Sequence, residues 1–407
     1  MPLATGSNPA PAGPLQGVRI LDMATVLAAP FAASLCADLG ADVVKLELPD
    51  GSDPLRSLAP VKDGMPLYWK VTNRGKKGIT LDVRTPKGRA LFLELVASFD
   101  VLVENFRTGT LERWGIGPDV LFEANPRLVL LRVTGFGQSG PYAPKPGFAR
   151  IFEAMSGLTN LTGEADGPPL HMNFPIGDTV AGVFGAFAIV AELLRLQADP
   201  EARAVEIDLS ATEALMRMLE PLAVEREQLG LVRKRSGNLA SYTAPSNMYR
   251  SSDGQHFTLV ASSDAIFRRL CDSLGLAALK DDDRFRTNPS RVRHCAELDA
   301  ILADWFAGRP YAEASAVLNA AGVPFSKAYS IDDILADPHF QARQALIRLL
   351  DDELGSVPAP CIVPRVVGRS TRVPHSGPAV GQHNDEVYGQ LGLGAAELDV
   401  LRNEGVI

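Results

Sequence analysis

Short apolar runs alternate with segments of helical period through the first third of the chain. Residues 17–22 read as a strand, and 30–39 as a helix with Pro30 near its start and Gly40 at its stop. Residues 42–47 read as the next strand. A helix follows over 86–98, with apolar positions at Leu91, Leu93, Leu95 and Val96, and then strands over 101–104 and 127–133. This βαβα order predicts an α/β fold with a mainly parallel sheet and helices on both faces. Ligands of such sheets bind beyond the carboxyl ends of the strands. The segments that follow those ends, 23–30, 48–56, 105–110 and 134–140, are rich in small and polar residues, as a binding rim would be.

Beyond residue 200 a strand over 204–209 leads into one long helix over about 211–229 and then a basic, glycine-containing stretch, 233–237. Residues 248–250 and 256–260 flank the turn Ser252-Asp253-Gly254 and read as a hairpin, since Asp-Gly supports a tight turn. Helical patterns continue to about 320, and a last helix lies near 395–403. A chain of 407 residues exceeds one ordinary core, so two domains are expected. The division is a flexible tail at 1–14, a large domain over 15–224, a smaller α+β domain over 225–330, and a return segment, 331–407, that completes the large domain.

The most apolar stretch, 180–194, is too short to span a bilayer and is closed by Glu192 and Arg195, so it reads as a buried helix and no membrane association is expected. The N-terminus lacks the charged and apolar regions of a signal peptide. Cys36, Cys271, Cys295 and Cys361 are scattered, with no C-x-x-C pair, and the six histidines form no H-x-x-x-H pair. Neither a disulfide framework nor a metal centre is expected, and the chain reads as cytoplasmic. The net charge of −8 argues against a general nucleic-acid binder but leaves room for a local basic cluster that holds a small anion.

Three features could carry chemistry. Gly135-Phe136-Gly137-Gln138-Ser139-Gly140 fits G-x-G-x-x-G after a strand, but Pro141, Pro144 and Pro146 argue against the helix that a dinucleotide site needs. Asp178 stands directly before an apolar helix. It reads either as an N-cap or as an anion poised for catalysis where the helix end stabilises negative charge. Gly177 beside it would leave space for a substrate, and an aspartate with an ordinary pKa of ~3.9 would be ionised at neutral pH. Arg74, Lys76, Lys77, Arg84, Lys87 and Arg89 form a basic stretch, either a solvated surface or, with Arg107 and Arg113, a face for a ligand with several phosphates.

Taken in order, several blocks resemble the class III CoA-transferase family, which includes formyl-CoA transferase and carnitine CoA-transferase. They are 14–22 (PLQGVRILD), 37–47 (ADLGADVVKLE), 73–79 (NRGKKGI), Leu81-Asp82, 103–106 (VENF), 135–142 (GFGQSGPY), Ser156-Gly157-Leu158, Thr162-Gly163, Gly177-Asp178 and 381–387 (GQHNDEV). The resemblance covers nearly the whole chain after the tail. It implies a Rossmann-like large domain, a small domain between the two chain ends, and an interlocked homodimer. It also implies that Asp178 is the nucleophile, forming a mixed anhydride and then an aspartyl-CoA thioester. By position, CoA contacts carry over to Leu27, Ala28, Leu81, Asp82, Val83, Arg84, Asn105, Phe106, Arg107 and Arg113, with Lys145 a further candidate. The implied partners are an acyl-CoA and a carboxylic acid, the CoA thioester being substrate with no tightly bound cofactor.

Departures from the family pattern sharpen the expectation. Leu27 stands where formyl-CoA transferase has a glutamine, which points away from oxalate or formate and towards a larger acyl group, with dicarboxylic acids such as succinate expected. Ser236-Gly237-Asn238 is the nearest counterpart of that enzyme's glycine-rich loop. Arg56, Arg107 and Arg150 could hold a second carboxylate. The rival within the fold is an α-methylacyl-CoA racemase, which uses a histidine where this chain has Phe148, and a phenyl ring carries no proton. Ala149 departs from the acidic residue common in the transferases. A non-catalytic CoA-binding homologue is the third reading.

Overall fold

The computed structural model describes residues 13–368 and 374–407, so the tail expected at 1–14 lies outside them except for Gly13 and Pro14. The chain divides into two compact units. The first holds the residues up to Thr159, His171–Val224 and Gln344–Ile407, and the second holds Asn160–Leu170 and Glu225–Arg343.

The first unit is built on a six-stranded parallel sheet of β1 (Arg19–Asp22), β2 (Asp42–Glu47), β3 (Lys76–Thr80), β4 (Val101–Glu104), β5 (Val129–Thr134) and β6 (Val205–Ser210). Their order is β3-β2-β1-β4-β5-β6, with Ile20 opposite both Val43 and Val101. Its central strands are apolar on both faces because helices cover both sides, so they read as continuous runs rather than alternations. Its helices include α1 (Ala28–Asp38), α2 (Leu67–Thr72), α3 (Pro86–Ala97), α4 (Ala149–Met155), α5 (Ile176–Ala198) and α6 (Ala211–Arg217), and α7 (Pro221–Leu229) begins in this unit and ends in the second. The last two replace the single helix expected over 211–229. Pro221 has no N–H to continue the ladder and its ring would clash with the preceding turn, so the helix restarts there.

Strand β3 was hidden by its charge. Lys76 opens it, yet is fully buried, with Nζ bonded to Asp22 Oδ2 at 2.7 Å, Pro30 O at 2.7 Å and Asn73 Oδ1 at 2.9 Å. Helix α5 also departs from expectation. It runs 23 residues rather than stopping near 194, and by length and composition alone could cross a membrane. Its inner face packs on the sheet and on α1, so closely that a Cβ at Gly182 would stand 2.8 Å from Ala28 O. Its outer residues Val183, Phe187, Val190 and Leu194 are exposed, so the helix is half-covered rather than buried.

The second unit carries a three-stranded antiparallel sheet of β7 (Ser246–Arg250), β8 (His256–Val260) and β9 (Phe325–Lys327), in the order β9-β8-β7. Its helices include α8 (Asp264–Ser273), α9 (Cys295–Ala307) and α10 (Tyr311–Ala320), packed around Phe257, Phe267, Phe285 and Phe306. The chain then forms a hairpin of β10 (Leu346–Asp351) and β11 (Gly355–Pro360), followed by α11 (Asn384–Gly389) and α12 (Ala395–Asn403). These last helices join the first unit's core. Tyr388 and Leu401 pack with Leu81 and Val83, and Val406 O accepts the Asp82 N–H at 2.8 Å.

Candidate active site

Strand order reverses between β1 and β4, and a cavity of about 280 Å³ opens there at the carboxyl ends of the strands. Residues 25–28 follow β1 and form one wall, and 105–108 follow β4 and form another. Val133, Thr134 and Gly135 lie at the floor, 145–148 on a third side, and Asp178 enters from the start of α5.

The loops are fixed from beneath by buried polar groups. Thr25 N–H donates to Asn105 Oδ1 and Asn105 Nδ2 donates to Thr25 O, both at 2.7 Å, which ties the two walls together. Val26 stands at φ 63°, in the left-handed region, and its N–H donates to the buried Asp53 carboxylate at 3.1 and 3.3 Å. Lys45 Nζ lies 3.5 Å from Asp53 and 3.8 Å from Asp22, and also donates to Ala24 O. At the end of β4, Glu104 accepts the Phe106 N–H at 2.6 Å and pairs with Arg132 at 2.7 Å. Burial nonetheless pushes the Glu104 carboxyl up to about 7. Thr108 donates to Ala143 O at 3.1 Å, joining this loop to the third wall.

Asp178 is the third residue of α5, with Pro175 at the cap, so it is not the N-cap that sequence allowed. Its carboxylate accepts no hydrogen bond among the described residues. Burial first, and then the neighbouring Glu153 charge, raise its pKa from 3.8 to about 7. It is therefore not wholly ionised at neutral pH, as an ordinary aspartate would be. Glu153, on α4, accepts the Gly177 N–H at 3.1 Å and lies 3.2 Å from His171 Nδ1. Gly177 is packed rather than open, because a Cβ there would meet Ala149 O at 3.2 Å and Glu153 Cγ at 3.4 Å. On α2, Tyr68 has a buried hydroxyl without a hydrogen-bond partner among the described residues, and burial together with the Asp178 charge raises its pKa.

The residues singled out by sequence fall in three places. Leu27, Ala28, Asn105, Phe106, Arg107, Lys145 and Asp178 line the one cavity. Leu81 and Val83 line a smaller cleft of about 70 Å³ that shares Thr25 and Phe106 with it. Asp82 and Arg84 pair with each other at 2.8 Å, and Arg113 donates to Thr110 Oγ1 at 2.7 Å, all three outside both openings.

Most cations of the basic stretch have carboxylate partners. Arg74 is paired with Asp38, Lys76 with Asp22, Lys77 with Asp42 and Glu386, and Lys87 with Glu404. Arg56 is likewise committed. It forks onto Glu47 at 2.8 and 2.6 Å and lies over the Trp69 ring at 3.6 Å, so it does not stand free for a substrate carboxylate. Arg107 and Arg150 have no ion-pair partner among the described residues. Phe148, 73% exposed, lines the cavity at the position where a racemase would need a proton carrier. No group of three or more His, Cys, Asp or Glu among the described residues is placed to hold a metal ion.

Sequence did not single out Val26, Asp53, Tyr68, Glu153 or His171. No local motif marks them, because their roles arise from contacts between separate elements. The only hint was the acidic Glu153 inside the apolar segment 151–155.

Known proteins share this sequence pattern and architecture. The sequence profile of CoA-transferase family III matches residues 15–384. Succinyl-CoA–D-citramalate CoA-transferase of Chloroflexus aurantiacus is 40% identical over 403 residues, covering 98% of this chain and 100% of that protein. The beta subunit of succinyl-CoA–L-malate CoA-transferase from the same organism is 35% identical, covering 97% and 98%. A crystal structure of a CaiB/BaiF family protein from Brucella suis superposes with a TM-score of 0.83 at 32% identity, covering 94% of this chain and 100% of that one. With the family's profile running through nearly the whole chain, and relatives that act on CoA thioesters matching it end to end, the chain belongs to CoA-transferase family III and is a CoA-transferase.

Proposed function

We propose that this CoA-transferase moves CoA from succinyl-CoA to a four- or five-carbon dicarboxylic acid, with Asp178 as the covalent acyl acceptor. The observation that carries the reading is an unbonded carboxylate, Asp178, at the wall of a cavity on the carboxyl edge of the sheet. The donor and the acceptor class follow the two relatives, which are named for succinyl-CoA with citramalate or malate.

An Asp178 oxygen attacks the thioester carbonyl, and the C–S bond breaks to give a succinyl-aspartyl anhydride and a CoA thiolate. The thiolate attacks the aspartyl carbonyl and releases succinate, leaving an aspartyl-CoA thioester. The acceptor carboxylate then attacks that carbonyl, expelling the thiolate and forming a second anhydride. Attack of the thiolate on the acceptor's own carbonyl gives the new acyl-CoA and frees Asp178. An activated bond is kept at the Asp178 carbonyl from the first anhydride to the last, so ATP has no part to play. Leu27, Phe106 and Phe148 give the cavity apolar walls that disfavour water, which would hydrolyse the anhydride.

Arg107 and Lys145 are the cationic groups on this cavity and suit a phosphate or a distal carboxylate of the substrate. The cleft beside Leu81 and Val83, walled by Phe106 and Trp114, suits a flat apolar part of CoA. The enzyme works as an interlocked homodimer, which accounts for the exposed apolar stripe on α5. Four unpaired cysteines suit the reducing cytoplasm.

The test is incubation with succinyl-CoA, quenching with hydroxylamine, and peptide mass spectrometry, alongside assays with a panel of dicarboxylic acids. A hydroxamate at Asp178 and new acyl-CoA from malate- or citramalate-like acids are the expected results. Exchange of an α-deuterium from a branched acyl-CoA, with no transfer to any acid in the panel, would overturn the reading.

A further inference from the structure

Two carboxylates converge on the amide end of α5, and only one is bonded to it. Glu153, on α4 and 2% exposed, takes the Gly177 N–H through Oε1 and faces His171 Nδ1 through Oε2. Asp178, in the first turn of the helix itself, accepts nothing among the described residues. The first amides of a helix lack intrahelical partners and are usually met by a nearby acidic side chain. Here the donor beside Asp178 is already taken by a residue from another helix. A carboxylate that accepts several amide hydrogen bonds is held in its charged form with its lone pairs committed. One that accepts none keeps them available for attack on carbon.

We propose that Glu153 is a positioning residue for the transfer reaction: oriented by His171, it occupies the amide end of α5 and leaves the Asp178 carboxylate unbonded and free to attack. The proposal rests on Asp178 as the acyl acceptor and adds what prepares it. His171 is itself fixed by a second contact, with Thr159 Oγ1 at 3.4 Å, so the imidazole has a defined place beside Glu153.

The arrangement has an electrostatic signature. Glu153 and Asp178 carry like charge at close quarters, which raises the proton affinity of Asp178 beyond what burial alone does. The other titratable groups around Asp178 are Tyr68 from α2, and Arg107 and Lys145 from the loops of the cavity. Where α1, β5 and α6 meet the cavity, they do so through uncharged residues.

The experiment is the pH profile of kcat/KM for CoA transfer in the wild type, Glu153→Gln and His171→Ala, with the Asp178 adduct trapped in the wild type as control. Glutamine keeps an acceptor for the Gly177 amide but carries no charge. Its acid-side midpoint is expected to fall by about one pH unit or more, with the KM for the thioester unchanged, as loss of a like-charged neighbour requires. The His171 side chain is 29% exposed and belongs to no core cluster among the described residues, so its removal spares the core. That variant leaves the Glu153 charge without its imidazole and is expected to move the midpoint upward. A wild-type midpoint in Glu153→Gln overturns the proposal. If that variant fails to fold, a wild-type midpoint in His171→Ala overturns it equally. Absence of the adduct in the wild type defeats the reading of Asp178 as nucleophile, and the proposal with it. An adduct with an unmoved midpoint defeats the role of Glu153 alone.

Discussion

The Asp53 carboxylate accepts the Val26 N–H at 3.1 Å while Val26 stands at φ 63°, so a side chain 27 residues away holds one cavity wall in a left-handed bend. A β-branched residue in that region costs on the order of 1–3 kcal/mol and persists only where its surroundings over-determine it. Asp53 supplies the acceptor, and Lys45 stands 3.5 Å from the same buried carboxylate. Asp53→Ala leaves Lys45 less well paired and releases Val26. It is expected to lower stability by about 3 kcal/mol in urea unfolding and to raise the KM for the CoA thioester. Val26→Gly, which suits the same backbone without strain, is expected to unfold at equal or higher urea concentration.

Asp178→Asn is expected to reduce transfer by about a thousandfold or more, because an amide is a poor nucleophile and forms no anhydride. The folded pKa of about 7 lies above the ordinary 3.8, so the native state holds the proton more tightly than the unfolded chain does. Ionised Asp178 therefore weakens the fold. The penalty is absent below about pH 4, grows as pH rises towards 7, and is complete above it. Asparagine removes it, so the variant should gain stability relative to the wild type between pH 4 and pH 8, on the order of 2–4 kcal/mol. Wild-type activity should rise with pH to a plateau above about 7, since the attacking form is the carboxylate. Paired thermal melts and rate profiles check both signs.

The elements that sequence made legible are those whose burial is uniform. Strands β1, β2 and β4 each hold a short buried apolar run, Ile20-Leu21, Val43-Val44 and residues 101–103, and α12 is a short amphipathic helix. Strand β3 was missed because Lys76-Lys77 looks like surface. Its meaning depends on Asp22, 54 residues earlier, which buries and neutralises the first lysine. Asp178 was visible as an acidic residue at an apolar helix, and its neighbourhood was not. Whether it caps the helix or stands free depends on Glu153 reaching the Gly177 amide from α4, a contact that no spacing rule encodes. The partners of the basic stretch were hidden for the same reason: a row of cations in sequence says nothing of the carboxylates that Asp38, Asp42 and Glu404 bring to it.

Arg107 lines the cavity, is exposed, and has no carboxylate partner among the described residues. Removing it frees no buried charge, so Arg107→Ala should leave stability within about 0.5 kcal/mol. Its expected effect is on substrate. The KM for the acyl-CoA should rise roughly tenfold with kcat little changed, since a charge-assisted contact of ~1.5 kcal/mol is lost equally in ground and transition states. The defect should shrink when wild type and variant are compared at high salt, because an exposed pair is screened. A fall in kcat with unchanged KM would place Arg107 at the reacting atoms instead.

Helix α5 leaves Val183, Phe187, Val190 and Leu194 exposed at spacings of four, three and four residues, which is one continuous stripe, with Phe187 72% exposed. A stripe of that kind on a core helix wants a cover, and a second copy of the chain would supply one in the proposed interlocked dimer. Light scattering should then report about twice the chain mass of 43.5 kDa. Two threaded chains cannot part without unfolding, so that mass should persist at the lowest measurable concentration. The urea midpoint should rise with protein concentration, because folding and association are one equilibrium. Phe187→Ala removes the largest side chain of the stripe. If α5 is buried against a partner, the variant should lose about 3 kcal/mol and keep the concentration dependence. If the helix faces solvent, the change should be within about 0.5 kcal/mol. A wild-type mass of one chain, with a midpoint that ignores concentration, would rule the dimer out.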